Sequence, residues 1–445
     1  MDIVSIIIVA ISIIFYIFEI LPIPIIAMSS ASLMVVFGVT TSSAVWASFA
    51  SEPVLLVAGS SIVGSAIFFT GATKIITDNL LKLAKGKPNI AIYLMILIAG
   101  LLSSVMNNIT SSIIFFPLII SIVAGEKNNQ IYEQKYMQML AITTSIGGML
   151  TLVGSAVVMT ASGLAVASGG SAFTFFQFTP IVIVLFITLM VYMFVFNDRY
   201  SKKVFSKKIG IHSDFVNTVM KDIDEESKKE YHSDNDIKNI RLTNFKDKGV
   251  RSLIIMLIMI LGFITSDIHG ISLGTIAIIS GLMTVITKCF TIKQMTQKID
   301  LNVILTIVGM TGTAVGFAES GGGARIAGII LNCFGANSSY TVIYVVLCLT
   351  AGMITQFMSN TGTIGIIIPI AVSLAIQLNV STTTFVMGVT ICSICSFLTP
   401  MANPVQAMVM NWGSYSFTDY IRYALPITLI LLVISIVSVP LFYPF

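Results

Sequence analysis

The chain has 445 residues, 56% of them hydrophobic and only 10% charged, whereas a soluble domain carries about a quarter charged residues. Its net charge of +4 comes from basic residues that sit beside apolar runs, a placement that fits cytoplasmic loops and argues against a nucleic-acid partner. Of the 44 charged residues, 23 lie between Asp198 and Arg251, so the chain divides into two apolar halves, residues 1–196 and 251–445, joined by a charged connector, residues 197–250.

A helix needs about 20 apolar residues to cross a bilayer. On that measure the first half has spans at 3–21, 24–40 and 52–72. The opening run lacks a basic leader and a small-residue cleavage site and is expected to remain as a span. Residues 89–125 then hold two apolar runs that meet at Asn107-Asn108-Ile109-Thr110. Such a pattern predicts a re-entrant hairpin, whose non-helical tip must be buried in protein or face a wet cavity. The run at 136–168 is about 50 Å long as a helix, too long for one straight crossing, and is interrupted between Gly147 and Ser155. A span at 173–196 closes the half.

The connector mixes both charge signs and reads as a solvated helix or loop. Beyond it the order recurs. Spans at 251–266, 271–289 and 300–319 precede a second hairpin at 338–378, with Ser359-Asn360-Thr361-Gly362-Thr363 at its tip. A run at 382–412, broken between Leu398 and Pro404, and a span at 420–442 follow. A constant offset of 252 aligns Met106-Asn107-Asn108 and Pro117 with Met358-Ser359-Asn360 and Pro369, and Ser103 with Thr355. Each half makes five crossings, an odd number, so the second must be inverted relative to the first. The expected fold is an all-α polytopic membrane protein of two inverted repeats. An outside N-terminus places 23 of the 24 basic residues on one side, with Arg325 alone opposite. The positive-inside rule then puts the connector in the cytoplasm and both termini outside the cell (inner or plasma) membrane.

The five Cys form no complete metal pattern, and all three His (His212, His232, His269) fall in hydrophilic connectors; buried small side chains and solvated rings are the expectation for them. An intramembrane enzyme would need a nucleophile with a base or a metal set, which these positions do not provide. No acidic or basic residue occupies either tip or either break. An anion held there would be held by neutral donors. The second helix of each hairpin is expected to start near Thr110 and Thr363, turning free N–H groups and a positive dipole end toward the cavity. Asn108, Asn360, Ser359, Thr361 and Thr363 add amide and hydroxyl donors. The breaks also free backbone carbonyls, hard oxygen ligands of the kind Na+ accepts. A purely structural use of the Gly, Ser and Thr residues, close helix packing, stands beside that reading.

The tip from Met358 to Pro369 resembles the Ser-Asn-Thr signature of the divalent anion:sodium symporter family, within the ion transporter superfamily, and Asn107-Asn108-Ile109-Thr110 resembles a looser copy. Ser51-Glu52-Pro53, Ile299-Asp300-Leu301-Asn302-Val303, Glu319-Ser320-Gly321 and Leu398 to Met410 extend the resemblance over nearly the whole chain outside the connector. It implies sodium-coupled uptake of a dicarboxylate, tricarboxylate or sulfate by a homodimer in the lipid bilayer, through an elevator-like motion, with no cofactor beyond the coupling ion. It further implies one sodium site at Ser103, Asn107, Asn108 and Gly154 and another at Thr355, Ser359, Asn360 and Ala402. Substrate contacts would come from Asn108, Ile109, Ser155, Ser359, Asn360, Thr361, Asn403 and Pro404. The chain departs from the family where Ile109 replaces Thr, Asn107 replaces Ser, and Ser155-Ala156-Val157-Val158 replaces Thr-Pro-Pro-Asn. These changes imply a poorer carboxylate subsite, which keeps an arsenite or other oxyanion permease as an alternative. A sodium/proton antiporter of the same superfamily is the other; it calls for a titratable residue at the midplane.

Overall fold

The computed structural model describes residues 1–18, 20–70, 88–123, 129–205, 243–289, 291–297, 299–334, 339–413 and 415–445. The bulk of the connector, 206–242, lies outside them, as do its expected solvated helix and the basic segment from Lys74 to Lys87. In the first half the chain forms α1 (Asp2–Ile17), α2 (Ile23–Val36), α3 (Ser42–Trp46), α4 (Glu52–Phe69), α5 (Pro88–Ser103), α6 (Asn108–Val123), α7 (Asn129–Gly147), α8 (Ala156–Ala167), α9 (Thr179–Val195) and α10 (Asn197–Val204). The second half forms α11 (Thr243–Ile264), α12 (Ser266–His269), α13 (Leu273–Ile286), α14 (Ile292–Gln297), α15 (Leu301–Glu319), α16 (Gly322–Phe334), α17 (Tyr340–Ile354), α18 (Asn360–Gln377), α19 (Thr382–Ile394), α20 (Pro404–Trp412) and α21 (Phe417–Phe442). Among the described residues there is no strand.

Both hairpins and both broken spans take form where the polar clusters interrupt the apolar runs. Several boundaries differ from expectation. The second span stops at Val36 because Gly38 takes a positive φ of 66°, a helix-ending conformation open to glycine. The first span after the connector starts at Thr243 instead of residue 251, about two turns inside the charged segment. Among the described residues four helical stretches have the length and apolarity to cross alone, five if α9 and α10, bent by 66°, count together. The sequence pattern predicts ten full crossings; α1, α2 and α13 have 14 to 16 residues.

Lipid dictates how the ends are finished, since an unpaired N–H costs several kcal/mol without water to accept it. Side-chain oxygens of Ser272, Asp300, Ser339, Ser359, Ser381, Asn403 and Ser416 cap the helices that follow them, as short polar side chains do at N-caps. The outer faces tell the same story. Ile3, Ile7, Ile11 and Ile14 form one exposed ridge on α1, and Leu425, Leu429, Val433, Val437 and Leu441 another on α21. Apolar ridges of this length suit contact with lipid tails.

The helices gather in two groups. Around the hairpins, α5 and α6 embrace α7, α17 and α18 embrace α19, and α9 with α21 joins the two sets. The remaining long helices form a frame in which the most extensive contacts are α4 on α13 and α2 on α15. These two crossings mirror each other between the halves. A Cβ added at Gly59 would lie 2.2 Å from the carbonyl carbon of Ala277, and one at Gly309 would lie 2.3 Å from that of Ala27. Both the glycines and the alanines are 250 positions apart. Close backbone approach at small residues is the usual means of joining helices in lipid.

Alanine at Gly59 or Gly309 is therefore expected to destabilise the purified protein by about 1–3 kcal/mol, as overpacking does. Alanine at Gly328, whose added Cβ would meet only Gln377 Oε1 at 4.0 Å, serves as the control. Thermal unfolding in detergent checks the difference, with clear losses at the first two positions and none at the third.

Candidate functional site

Both hairpin tips and both breaks open on one cavity of about 770 Å³. All eight residues expected to contact substrate line it: Asn108, Ile109, Ser155, Ser359, Asn360, Thr361, Asn403 and Pro404. Of the expected sodium-site residues, Asn107, Gly154 and Ala402 line it as well, whereas Ser103 and Thr355 lie fully buried behind the tips. The segment from Ile20 to Pro24 at the start of α2, with Tyr16, Asp300, Asn302, Val303 and Thr306, also lines it. A second cavity of about 160 Å³ lies beside the first tip, between α4 and the first break, and shares Asn107, Gly154, Ala156, Asp300 and Val303 with the larger one.

At the first tip α6 begins at Asn108 itself, not near Thr110. Asn107 Oδ1 accepts from the Ile109 N–H at 2.9 Å and so occupies one of the first free donors. At the second tip α18 begins at Asn360, not near Thr363, because Ser359 is the cap and its Oγ accepts from Gly362 N at 3.0 Å. Each Asn is thereby locked into the first turn. Its amide points back into the protein toward the preceding helix and the neighbouring break.

The two tips repeat one hydrogen-bond pattern. Ser103 Oγ faces Asn108 Oδ1 at 2.7 Å and the Thr144 carbonyl at 2.8 Å. Thr355 Oγ1 faces Asn360 Oδ1 at 2.8 Å and the Ser393 carbonyl at 2.8 Å. Thr151 and Thr399, one from each break, donate to the carbonyls of Ser104 and Gln356, again equivalent positions. A hydroxyl carries one proton, so it cannot satisfy an amide oxygen and a carbonyl together. Oxygen is in excess at the first tip. Around the first, a Cβ at Gly148 would meet Asn108 Oδ1 at 2.2 Å, and a Cβ at Gly154 would meet the carbonyl oxygens of Gly148 and Ser103 at 2.5 Å each. Around the second, one end of the Asn360 amide lies 2.6 Å from Ser396 Oγ, 2.8 Å from Thr355 Oγ1, 3.1 Å from the Ser393 carbonyl and 3.2 Å from the Ala402 carbonyl. If its NH2 is turned that way, it donates into this ring; if its oxygen is, the ring is a cluster of acceptors.

The breaks are tied across the halves. Asn403 caps α20 through Oδ1, which accepts from Val405 N at 3.0 Å, and its Nδ2 donates to Ser145 Oγ at 3.0 Å. Gln356 braces the second break, its Oε1 accepting from Leu398 N at 3.1 Å. Sequence reasoning missed Gln356, Ser396 and Asp300. Ser396 and Gln356 sit in apolar stretches with no local signal, whereas the Asp300-to-Val303 cap was legible as a helix start but not as a cavity wall. No group of three or more His, Cys, Asp or Glu that would hold a metal occurs among the described residues.

Comparison with known proteins fits this geometry. A family model described as a citrate transporter matches residues 13–273 and 254–445. The chain is 31% identical over 169 residues to the uncharacterized transporter YfbS of Escherichia coli, 38% of this chain and 28% of that protein. It is 29% identical over 151 residues to the sodium-dependent low-affinity dicarboxylate transporter 1 of Caenorhabditis elegans, 34% of this chain and 25% of that protein. The chain thus spans less than a third of the length of these two relatives. The crystal structure of the Alcanivorax borkumensis YdaH transporter superposes with a TM-score of 0.61 at 12% identity, covering 90% of this chain and 87% of that one.

Thr355→Val keeps the shape of the second tip and removes a donor that reaches the buried Ser393 carbonyl at 2.8 Å, which should cost about 1 kcal/mol. Thr350→Val removes an outward-facing hydroxyl that bonds only its own helix at 2.7 Å and should be close to neutral. Comparing the thermal midpoints of the two variants checks this.

Proposed function

The chain belongs to the citrate transporter family, a family of membrane transporters, and we propose that it carries a small di- or tricarboxylate inward, coupled to sodium. The observation that carries this reading is the convergence of two neutral, donor-rich tips on one cavity that no Lys or Arg lines among the described residues. The first-turn N–H groups not taken by Asn107, Ser359 and the Ala402 carbonyl, with amide and hydroxyl donors, suit one carboxylate at each tip. The relative named as a sodium-dependent dicarboxylate transporter supports the same ligand class.

Sodium answers the excess of oxygen. One ion would sit among Ser103, Asn108, Gly148 and Gly154, another among Thr355, Asn360, Ser396 and Ala402, taking carbonyl and hydroxyl oxygens as ligands. With the ion in place Asn360 turns its oxygen inward and leaves its NH2 for the anion. Without it the amide donates into the ring and the anion loses a partner. Each Asn thus couples the two ligands, and the cation offsets the cost of an anion in low dielectric. The division into a hairpin-bearing group and a frame supports an elevator-like movement of the first against the second. In this proposal the protein works as a homodimer in the cell membrane, with the connector in the cytoplasm.

Ile109 on the cavity wall favours one second reading. An isobutyl-sized apolar group where a hydroxyl would help hold a carboxylate suits a smaller or weakly charged ligand such as arsenite.

Purified protein in liposomes, offered labelled citrate, succinate, sulfate and arsenite under sodium, lithium, potassium and proton gradients, distinguishes these. Accumulation of citrate or succinate under a sodium gradient alone is expected; accumulation of arsenite only would establish the second reading, and none of the four under sodium would defeat the first. Asn108→Ala and Asn360→Ala should each lower anion uptake and weaken its sodium dependence together. A variant that lost one and kept the other would refute a shared site.

A further inference from the structure

Asp300 is the one residue lining either cavity that carries a formal charge, among the described residues, and it lines both. Its half-buried carboxylate caps α15, Oδ1 accepting from Val303 N at 3.2 Å. Capping does not require that charge. The chain caps α20 with Asn403 and α13, α17, α18, α19 and α21 with serines, and Asn or Ser serves an N-cap about as well as Asp. The attraction of a carboxylate to the helix dipole is a modest addition. At Asp300, then, a negative charge stands on the wall of a cavity whose tips present donors to anions, and the fold has no need of it.

Distance makes that charge felt throughout the site. A sphere of 770 Å³ is about 11 Å across, close to the screening length of about 10 Å at 0.1 M salt. An anion on the Asp300 side of the cavity is therefore repelled, less strongly toward the far wall, and more so with every ionised group it carries. The tips, being neutral, reward the geometry of donors and acceptors instead of net charge.

We propose that Asp300 is a charge-number filter that makes this cavity prefer dicarboxylates to tricarboxylates. The proposal rests on the transport reading above and names the substrate class within it. Asp300→Asn keeps the cap and removes the charge; Asp300→Ser, which copies the serine caps found elsewhere in the chain, is a second route to the same change. Uptake of propionate, succinate and tricarballylate into liposomes is measured at saturating sodium and at an alkaline pH where all carboxyls are ionised. Both variants should lower KM relative to the natural protein, by about three- to tenfold for each carboxylate the substrate carries, so that tricarballylate gains most. Thermal midpoints should stay near that of the natural protein. Equal KM changes for the three anions, or none, would overturn the filter and leave the transport reading standing. A raised sodium requirement with unchanged discrimination would make Asp300 a cation ligand and overturn the filter as well. Failure of the natural protein to take up any of the three would overturn the filter, and the panel of citrate, succinate, sulfate and arsenite decides the transport reading separately.

Discussion

Inside a bilayer a peptide group that leaves a helix has no water to turn to, so each helix break must be answered by other groups of the protein or by a ligand. This chain has two hairpin tips and two breaks near one another, and the hydroxyls of Ser103 and Thr355 answer only part of the demand. The remaining lone pairs of the carbonyls and of the Asn108 amide face inward together, and at the second tip the carbonyls of Ser393 and Ala402 close around the Asn360 amide. Everything proposed for the site follows from that surplus: oxygens gathered around two glycines on one side and around Asn360 on the other, and N–H groups left to the cavity. In the reading proposed above, a site so built holds a cation and an anion without any basic side chain.

The frame depends on a different principle. Gly59 against Ala277 and Gly309 against Ala27 bring backbones into contact at positions 250 apart in the sequence, so α4 with α13 and α2 with α15 form a crossed brace. In lipid such contacts are held by close packing and not by the hydrophobic effect. Between this brace and the hairpin group lies α8, which packs on α15 and α4 on one side and on α18 and α19 on the other. The two groups meet along a seam that holds the cavity, and the elevator-like movement proposed above rests on that division.

Much of this was legible in the sequence because lipid makes polar residues conspicuous. Asn107-Asn108 and Ser359-Asn360-Thr361 announced the tips, and the constant offset between them announced the shared bonding at Ser103 and Thr355. The helix starts expected near Thr110 and Thr363 fall two or three residues late, since Ser359 reads as a ligand in the sequence when its hydroxyl is committed as a cap. A charge inventory confined to the tips and breaks hides Asp300: only the packed fold carries the end of α15 to the cavity wall. Ser396 and Gln356 were hidden for the same reason, as both act on segments about 40 residues away. The length of individual crossings also escaped the sequence, because runs such as 24–40 remain apolar past the point where Gly38 ends the helix.

The central claim is that the oxygen surplus at the tips belongs to a cation on which the anion depends. A cryo-electron microscopy map of the protein in nanodiscs, in sodium with succinate, tests it most directly. The account predicts a density peak at each tip, one bounded by Ser103, Asn108, Gly148 and Gly154 and the other by Thr355, Asn360, Ser396 and Ala402, with both peaks and the anion lost when potassium replaces sodium. Anion density that persists in potassium, with the Asn360 amide closed onto its ring of oxygens, would contradict it.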